Sequence, residues 1–176
     1  MNGRRFGPLA MVLFLLVFAP GCATTEAPEP EAFRQIFVLE PSSGHATLED
    51  GAPVLIESRE DLKRFLDGPG LGMESGLQEA IEQERVDLRR EAIVVIPHRE
   101  PYVSIAATMT AELEQSRLTI EVVGDPPPEG AVLLPAVGDY TYVLAVSKSL
   151  VHEVVVQRHS GPEQSALPTV TLLLTD

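Results

Sequence analysis

The sequence contains one cysteine, no tryptophan and three tyrosines among its 176 residues. A single thiol excludes an intrachain disulfide and any cysteine-rich zinc site, so the fold must be held by its apolar core. Basic residues are also few: 13 lysines and arginines stand against 26 acids, a net charge of −13. Such a surface repels phosphate, so no nucleic-acid partner is expected. No G-x-S-x-G, H-E-x-x-H, P-loop or dinucleotide fingerprint occurs. No cofactor is therefore expected, and no small-molecule ligand is evident from the residue pattern. No internal repeat is visible.

What is present begins with a basic and apolar leader. Arg4 and Arg5 precede an apolar block from Leu9 to Ala19, which Pro20 and Gly21 close. This is the layout of an export signal. The block is about 11 residues long against the roughly 20 a membrane span requires, so it reads as a cleaved segment. The single cysteine follows at once, and Ala19-Pro20-Gly21-Cys22 resembles a bacterial lipobox, with alanine where leucine is commonest. That resemblance implies diacylglycerol on the Cys22 sulfur, cleavage before it and further acylation of the new amine. Two or more acyl chains hold a protein stably, since each buried methylene contributes about 0.8 kcal/mol. The resemblance implies a membrane partner through lipid on Cys22. Ala23, where an inner-membrane retention signal would have aspartate, points to the outer membrane. An ordinary secretory signal with an incidental cysteine is the plainer alternative. With a twin-arginine signal the leader shares only the arginine pair.

Cleavage would remove Arg4 and Arg5 and no acid, leaving 11 basic and 26 acidic residues. The stretch Ala23 to Ala32, rich in proline, threonine and glutamate, has no bulky side chain to bury and reads as a tether. In polyproline geometry it spans about 30 Å. The division expected is therefore a signal over 1–21, an acylated cysteine and tether over 22–32, and one globular domain over 33–176.

Within that domain, "RQIFVLE" and "PVLIE" read as strands. In "SREDLKRFL" Ser58 is placed to cap a helix whose Leu62, Phe65 and Leu66 share one face, and in "SGLQEAIEQE" Ser75 and Gln78 repeat the pattern over Leu77, Ala80 and Ile81. "AIVVIP" is continuously apolar and belongs centrally in a sheet. "YVSIAATMT" and "RLTIEVV" alternate, turning Val103, Ile105, Ala107 and Met109, and Leu118, Ile120 and Val122, inward. "YTYVLAVS", "HEVVVQ" and "TVTLLLT" bring the strands to about eight. The fold class expected is α+β: a mostly antiparallel sheet, curled or closed into a small sandwich or barrel, with two short helices. "DPPPEG" reads as a stiff loop that blocks ladder pairing.

The segments "ERVDLRREAIVVI", "PYVSIAA", "RLTIEVV" and "DYTYVLAVSK" follow one another in an order that resembles the carboxy-terminal domain of the PrcB family, named for a subunit of a surface protease complex. Val86, Asp87, Leu88, Tyr102, Tyr140 and Lys148 stand where that family has a Val-Asp-Phe step, a Gly-Gly-Tyr entry, a Pro-Tyr strand and a lysine. The likeness spans roughly Pro53 to Gln157. The chain departs from it at Glu100-Pro101, which replaces the Gly-Gly, and at Asp139-Tyr140, which replaces the Pro-Tyr. The resemblance implies an accessory or binding domain of the cell surface and transfers no catalytic residues.

The remaining candidates carry competing readings. His98 and Glu100, two apart at a strand end, share a face and could serve a metal, but two ligands fall short of the three of a catalytic zinc, so a solvated loop is the expectation. His152-Glu153 and His159-Ser160 supply the residue types of a hydrolytic triad without its geometry. Glu112 and Glu114 lack the oxygen-rich loop that calcium requires and read as a solvated strand end. Tyr102, Tyr140 and Tyr142 could present an aromatic patch to a partner, although Tyr140 and Tyr142 alternate as packing residues do. The function expected is a lipid-anchored envelope module that binds another envelope protein through Tyr102 and Tyr140. A structural envelope lipoprotein and a hydrolase are the alternatives.

Overall fold

The computed structural model describes residues 31–39, 51–68, 74–101, 106–127, 129–130, 138–161 and 163–175. These form strands β1 (Phe33–Leu39) and β2 (Val54–Ile56), helices α1 (Arg59–Leu66) and α2 (Glu74–Gln83), and strands β3 (Glu91–Glu100), β4 (Ala107–Glu114), β5 (Arg117–Gly124), β6 (Gly138–Ser147), β7 (Glu153–Ser160), β8 (Ser165–Ala166) and β9 (Val170–Leu173). The leader and Cys22, most of the tether, and Tyr102 with Val103 and Ile105 lie outside the described residues. No helix among the described residues is long and apolar enough to cross a membrane.

The strands form two sheets. One has the order β1-β6-β3-β2; in the other β4, β5 and β7 lie side by side, with β8 and β9 both pairing to β7. The α+β class holds, with two stacked sheets and two helices. Pairing is antiparallel everywhere among the described strands except between β5 and β7, which run parallel from Arg117↔Glu153 to Val123↔His159. A parallel pair needs a crossover, and here β6, in the other sheet, lies between them in sequence.

The layers follow from side-chain period. The central strands β3 and β6 are apolar on both faces, as strands covered on both sides must be. Ile93 and Val95 of β3 with Val143 of β6 face the helices, packing with Leu77 and Ile81 of α2. Val94 and Ile96 with Tyr142, Leu144 and Val146 face the second sheet, against Leu118, Ile120 and Val122 of β5 and Val154 and Val156 of β7. The alternation assigned to β5 is observed, with all three inward residues fully buried. Its other face, including Thr119 and Glu121, is half-buried. In β1 the register slips between Gln35 and Phe37. This bulge reverses the alternation, so that Phe33 and Val38 pack toward the second sheet while Ile36 and Phe37 pack toward the helices.

Helix α1 starts as its cap directs: Ser58 Oγ accepts from the Asp61 N–H at 3.1 Å. Leu62, Phe65 and Leu66 pack on the helix-side core. Helix α2 runs over Glu74–Gln83; the capping expected of the Ser75 side chain lies outside what the structure describes. Lys148, just after β6, ties two loops together by donating to the carbonyls of Glu57 at 2.9 Å and Leu88 at 3.2 Å.

Candidate functional site

The polar centre of the molecule lies between the sheets, at the end where β3, β5 and β7 finish. Strand β3 does not stop at Pro97. Its pairing with β6 continues through His98↔Tyr140 to Glu100↔Gly138. Strand β2 covers only Ile93 to Val95, so Pro97 lies beyond that partner, where a residue without an N–H is tolerated. Continuing the period of Val94 and Ile96, His98 and Glu100 point at the second sheet. There they are 2 % and 0 % exposed. The solvated loop expected at this pair is thus not what forms: the extended ladder carries both side chains inside, and the neighbouring strands supply their partners.

Those partners are specific. His98 Nε2 and Glu100 Oε1 lie 2.6 Å apart, and Glu100 Oε2 accepts from the Gly161 N–H at 2.8 Å. Gly161 has φ +78°, which L side chains rarely adopt, and this turn just after β7 aims its N–H at the carboxyl. Gly124, at the end of β5, gives Glu100 its room. A Cβ there would lie 2.7 Å from Glu100 Cδ and 2.9 Å from Oε2. The Tyr140 ring lies 6.5 Å from that of His98 and is stacked at 6.5 Å on Tyr142. Tyr142 donates from its hydroxyl to the Ala107 carbonyl at 2.7 Å.

The third member is Arg158. Along β7, Val154, Val156 and Arg158 share the inward face, and Arg158 is 6 % exposed. Its Nη1 donates to the Pro97 carbonyl at 2.8 Å and also to the Gly51 carbonyl. Burial lowers the Arg158 pKa from its ordinary value, but a guanidinium keeps its charge in proteins. Burial is also the main influence on His98, holding its pKa below the ordinary histidine range; the Glu100 hydrogen bond opposes this shift and the Arg158 charge adds to it. The imidazole is therefore neutral near pH 7, and among the described residues two of the site's nitrogens, His98 Nδ1 and Arg158 Nε, are buried without a hydrogen-bond partner.

The other sequence candidates are dispersed. Tyr140 is 8 % exposed, so the packing reading describes it and little of the ring is available for docking. His152 is exposed just before β7, with Glu153 held by Arg117 at 2.7 Å. His159, at the far end of the same strand, lies on the outer face 3.5 Å from Glu121. Ser160 Oγ donates to the Arg99 carbonyl at 2.7 Å. These groups do not converge into a triad. Glu112 and Glu114 are exposed on β4, and no group of three or more metal-ligating side chains occurs among the described residues. Arg158 escaped the sequence reading, though the period of two that placed Val154 and Val156 inward extends to it.

Compared with protein-family models, curated proteins and solved structures, the chain matches none.

Proposed function

We propose that this protein is a lipid-anchored component of the bacterial cell envelope that acts by binding another envelope protein. The observation that carries the reading is the placement of the chain's one cysteine: Cys22 stands at the junction between an apolar leader opened by Arg4 and Arg5 and a polar, proline-rich tether. No disulfide partner exists for that thiol in the chain, whereas acylation uses a cysteine at that junction. The absence of aspartate at position 23 favours the outer membrane.

The binding role is supported by two further features. The order of segments from Pro53 to Gln157 resembles the PrcB carboxy-terminal domain, an accessory domain of a surface protease complex. A tether of about 30 Å confines the domain near other membrane-held proteins, which raises effective concentration and lets a modest interface be occupied. The test is mass spectrometry of the native mature protein together with a pull-down from detergent-solubilised membranes. Acylated Cys22 as the first residue and a reproducible co-purifying envelope protein are expected. An unmodified Cys22, or a cut elsewhere, would remove the anchor. Recovery of no partner would return the protein to a purely structural role.

A further inference from the structure

A cleft of about 510 Å³ opens at the end of the inter-sheet layer, with His98, Arg158, Tyr140, Leu167, Pro168 and Val170 among its walls. Its size falls within the range of small-ligand sites, and its composition, largely apolar with a few convergent polar groups, is theirs as well. The polar groups are those whose capacity the fold leaves unused. Arg158 engages its Nη1 with two carbonyls, while Nε on its other edge has no partner among the described residues. That edge, Nε with Nη2, is the one that grips a carboxylate with two parallel hydrogen bonds. Among the described residues Arg158 forms no ion pair, since Glu100 is engaged by His98 and Gly161, and Asp139 at the cleft by Arg99 at 2.8 Å. A buried cation offset only by carbonyl dipoles is costly, and an anion beside it removes that cost.

We infer that this cleft binds a carboxylate borne on a small apolar group, held by the free edge of Arg158 beside His98, with the apolar part against Leu167, Pro168 and Val170.

Charge and tautomer add a consequence. With its Nε2–H directed at Glu100, neutral His98 presents a bare lone pair at Nδ1, which repels a carboxylate; the protonated ring presents an N–H instead. The groups facing His98 are Glu100 on its own strand, Tyr140 on β6 and Arg158 on β7, while His159, on the outer face of β7, acts on it only through its charge. An incoming carboxylate adds a negative charge to the buried site, which a proton on Nδ1 neutralises. Binding takes up a proton and tightens as pH falls.

This inference goes beyond the anchored-binding reading and stands or falls without it. The test is titration calorimetry on the full chain in detergent, with N-acetylvaline, its neutral amide N-acetylvalinamide, and the peptide Ala-Ala-Ala-Val as probes. The acid binds at least about tenfold more tightly than the amide, as expected where a cation meets its counter-charge. Its affinity rises severalfold between about pH 7.5 and 6, where histidine gains its proton. Ala52→Trp, at an exposed position on the cleft wall, abolishes binding and leaves the thermal midpoint in place, so the test does not depend on the folding of an Arg158 variant. Tighter binding of the peptide identifies a chain terminus as the carboxylate's source, and equal binding identifies a small acid. Equal affinity for acid and amide overturns the inference, as does an unchanged affinity in Ala52→Trp. Failure of the acid to bind overturns it too, leaving ordered water as the partner of both nitrogens.

Discussion

Gly124→Ala adds one methyl group at the point where β5 passes the buried Glu100. A Cβ at this position would lie 2.7 Å from the carboxyl carbon and 2.9 Å from Oε2, inside van der Waals contact, so something must move. The carboxyl cannot retreat freely, because one oxygen is held 2.6 Å from His98 Nε2 and the other accepts from the Gly161 N–H at 2.8 Å. Overpacking a core of this kind costs about 1–3 kcal/mol. Loss of one hydrogen bond to a charged group adds about 1.5–3 kcal/mol. The stiffer unfolded chain of an alanine variant offsets about 0.4–1 kcal/mol. The expected net destabilisation is about 2–5 kcal/mol, read from urea unfolding as a lower midpoint at unchanged slope. Glu100→Ala is itself destabilising, since it strands the His98 and Gly161 donors. It also removes the obstacle, so Gly124→Ala added to it changes little, and the double-mutant cycle shows strong coupling. A Gly124→Ala protein within about 0.5 kcal/mol of the parent, or additive effects in the cycle, would refute the reasoning.

Three further outcomes are expected. The depressed pKa of buried His98 means that the unfolded chain binds a proton first as pH falls. Stability is therefore full above the unfolded histidine value of about 6.5 and declines as pH drops from there through the folded value; thermal unfolding of His98→Gln across that window shows a flatter pH dependence, and an identical slope would contradict the assignment. Ser58→Ala removes the α1 cap and lowers stability by about 1 kcal/mol in urea unfolding. Lys148→Met, which strands the carbonyls of Glu57 and Leu88, costs about 1–3 kcal/mol and raises amide exchange in the segments on either side of α1 and α2.

Much of this fold was legible because period and burial agree. Alternation in "RLTIEVV" gave the inward triplet of β5, the unbroken apolar run of β3 gave a strand covered on both faces, and Ser58 marked the start of α1. The parallel β5–β7 pair was not legible, because it depends on which sheet β6 joins, a matter of tertiary packing. Local pattern also misplaced the end of β3. Proline, histidine, arginine and glutamate in "PHRE" have the composition of a loop, yet pairing with β6 and the partners from β5 and β7 make the segment the buried polar centre. The same pairing that removes His98 and Glu100 from water brings Arg158 to them from about sixty residues away in sequence, a juxtaposition no local spacing encodes. Gly124 illustrates the point from the other side: its need for a missing side chain comes from a residue on a strand to which β5 is not paired.

The anchored-binding account is tested most directly by crosslinking in intact cells, comparing the parent protein with Cys22→Ser and identifying the products by mass spectrometry. The account predicts a reproducible envelope-protein partner for the parent in the membrane fraction, with both the membrane location and the crosslink lost in Cys22→Ser. A protein recovered from the soluble fraction with free Cys22, or a crosslinking pattern without any reproducible partner, would contradict it.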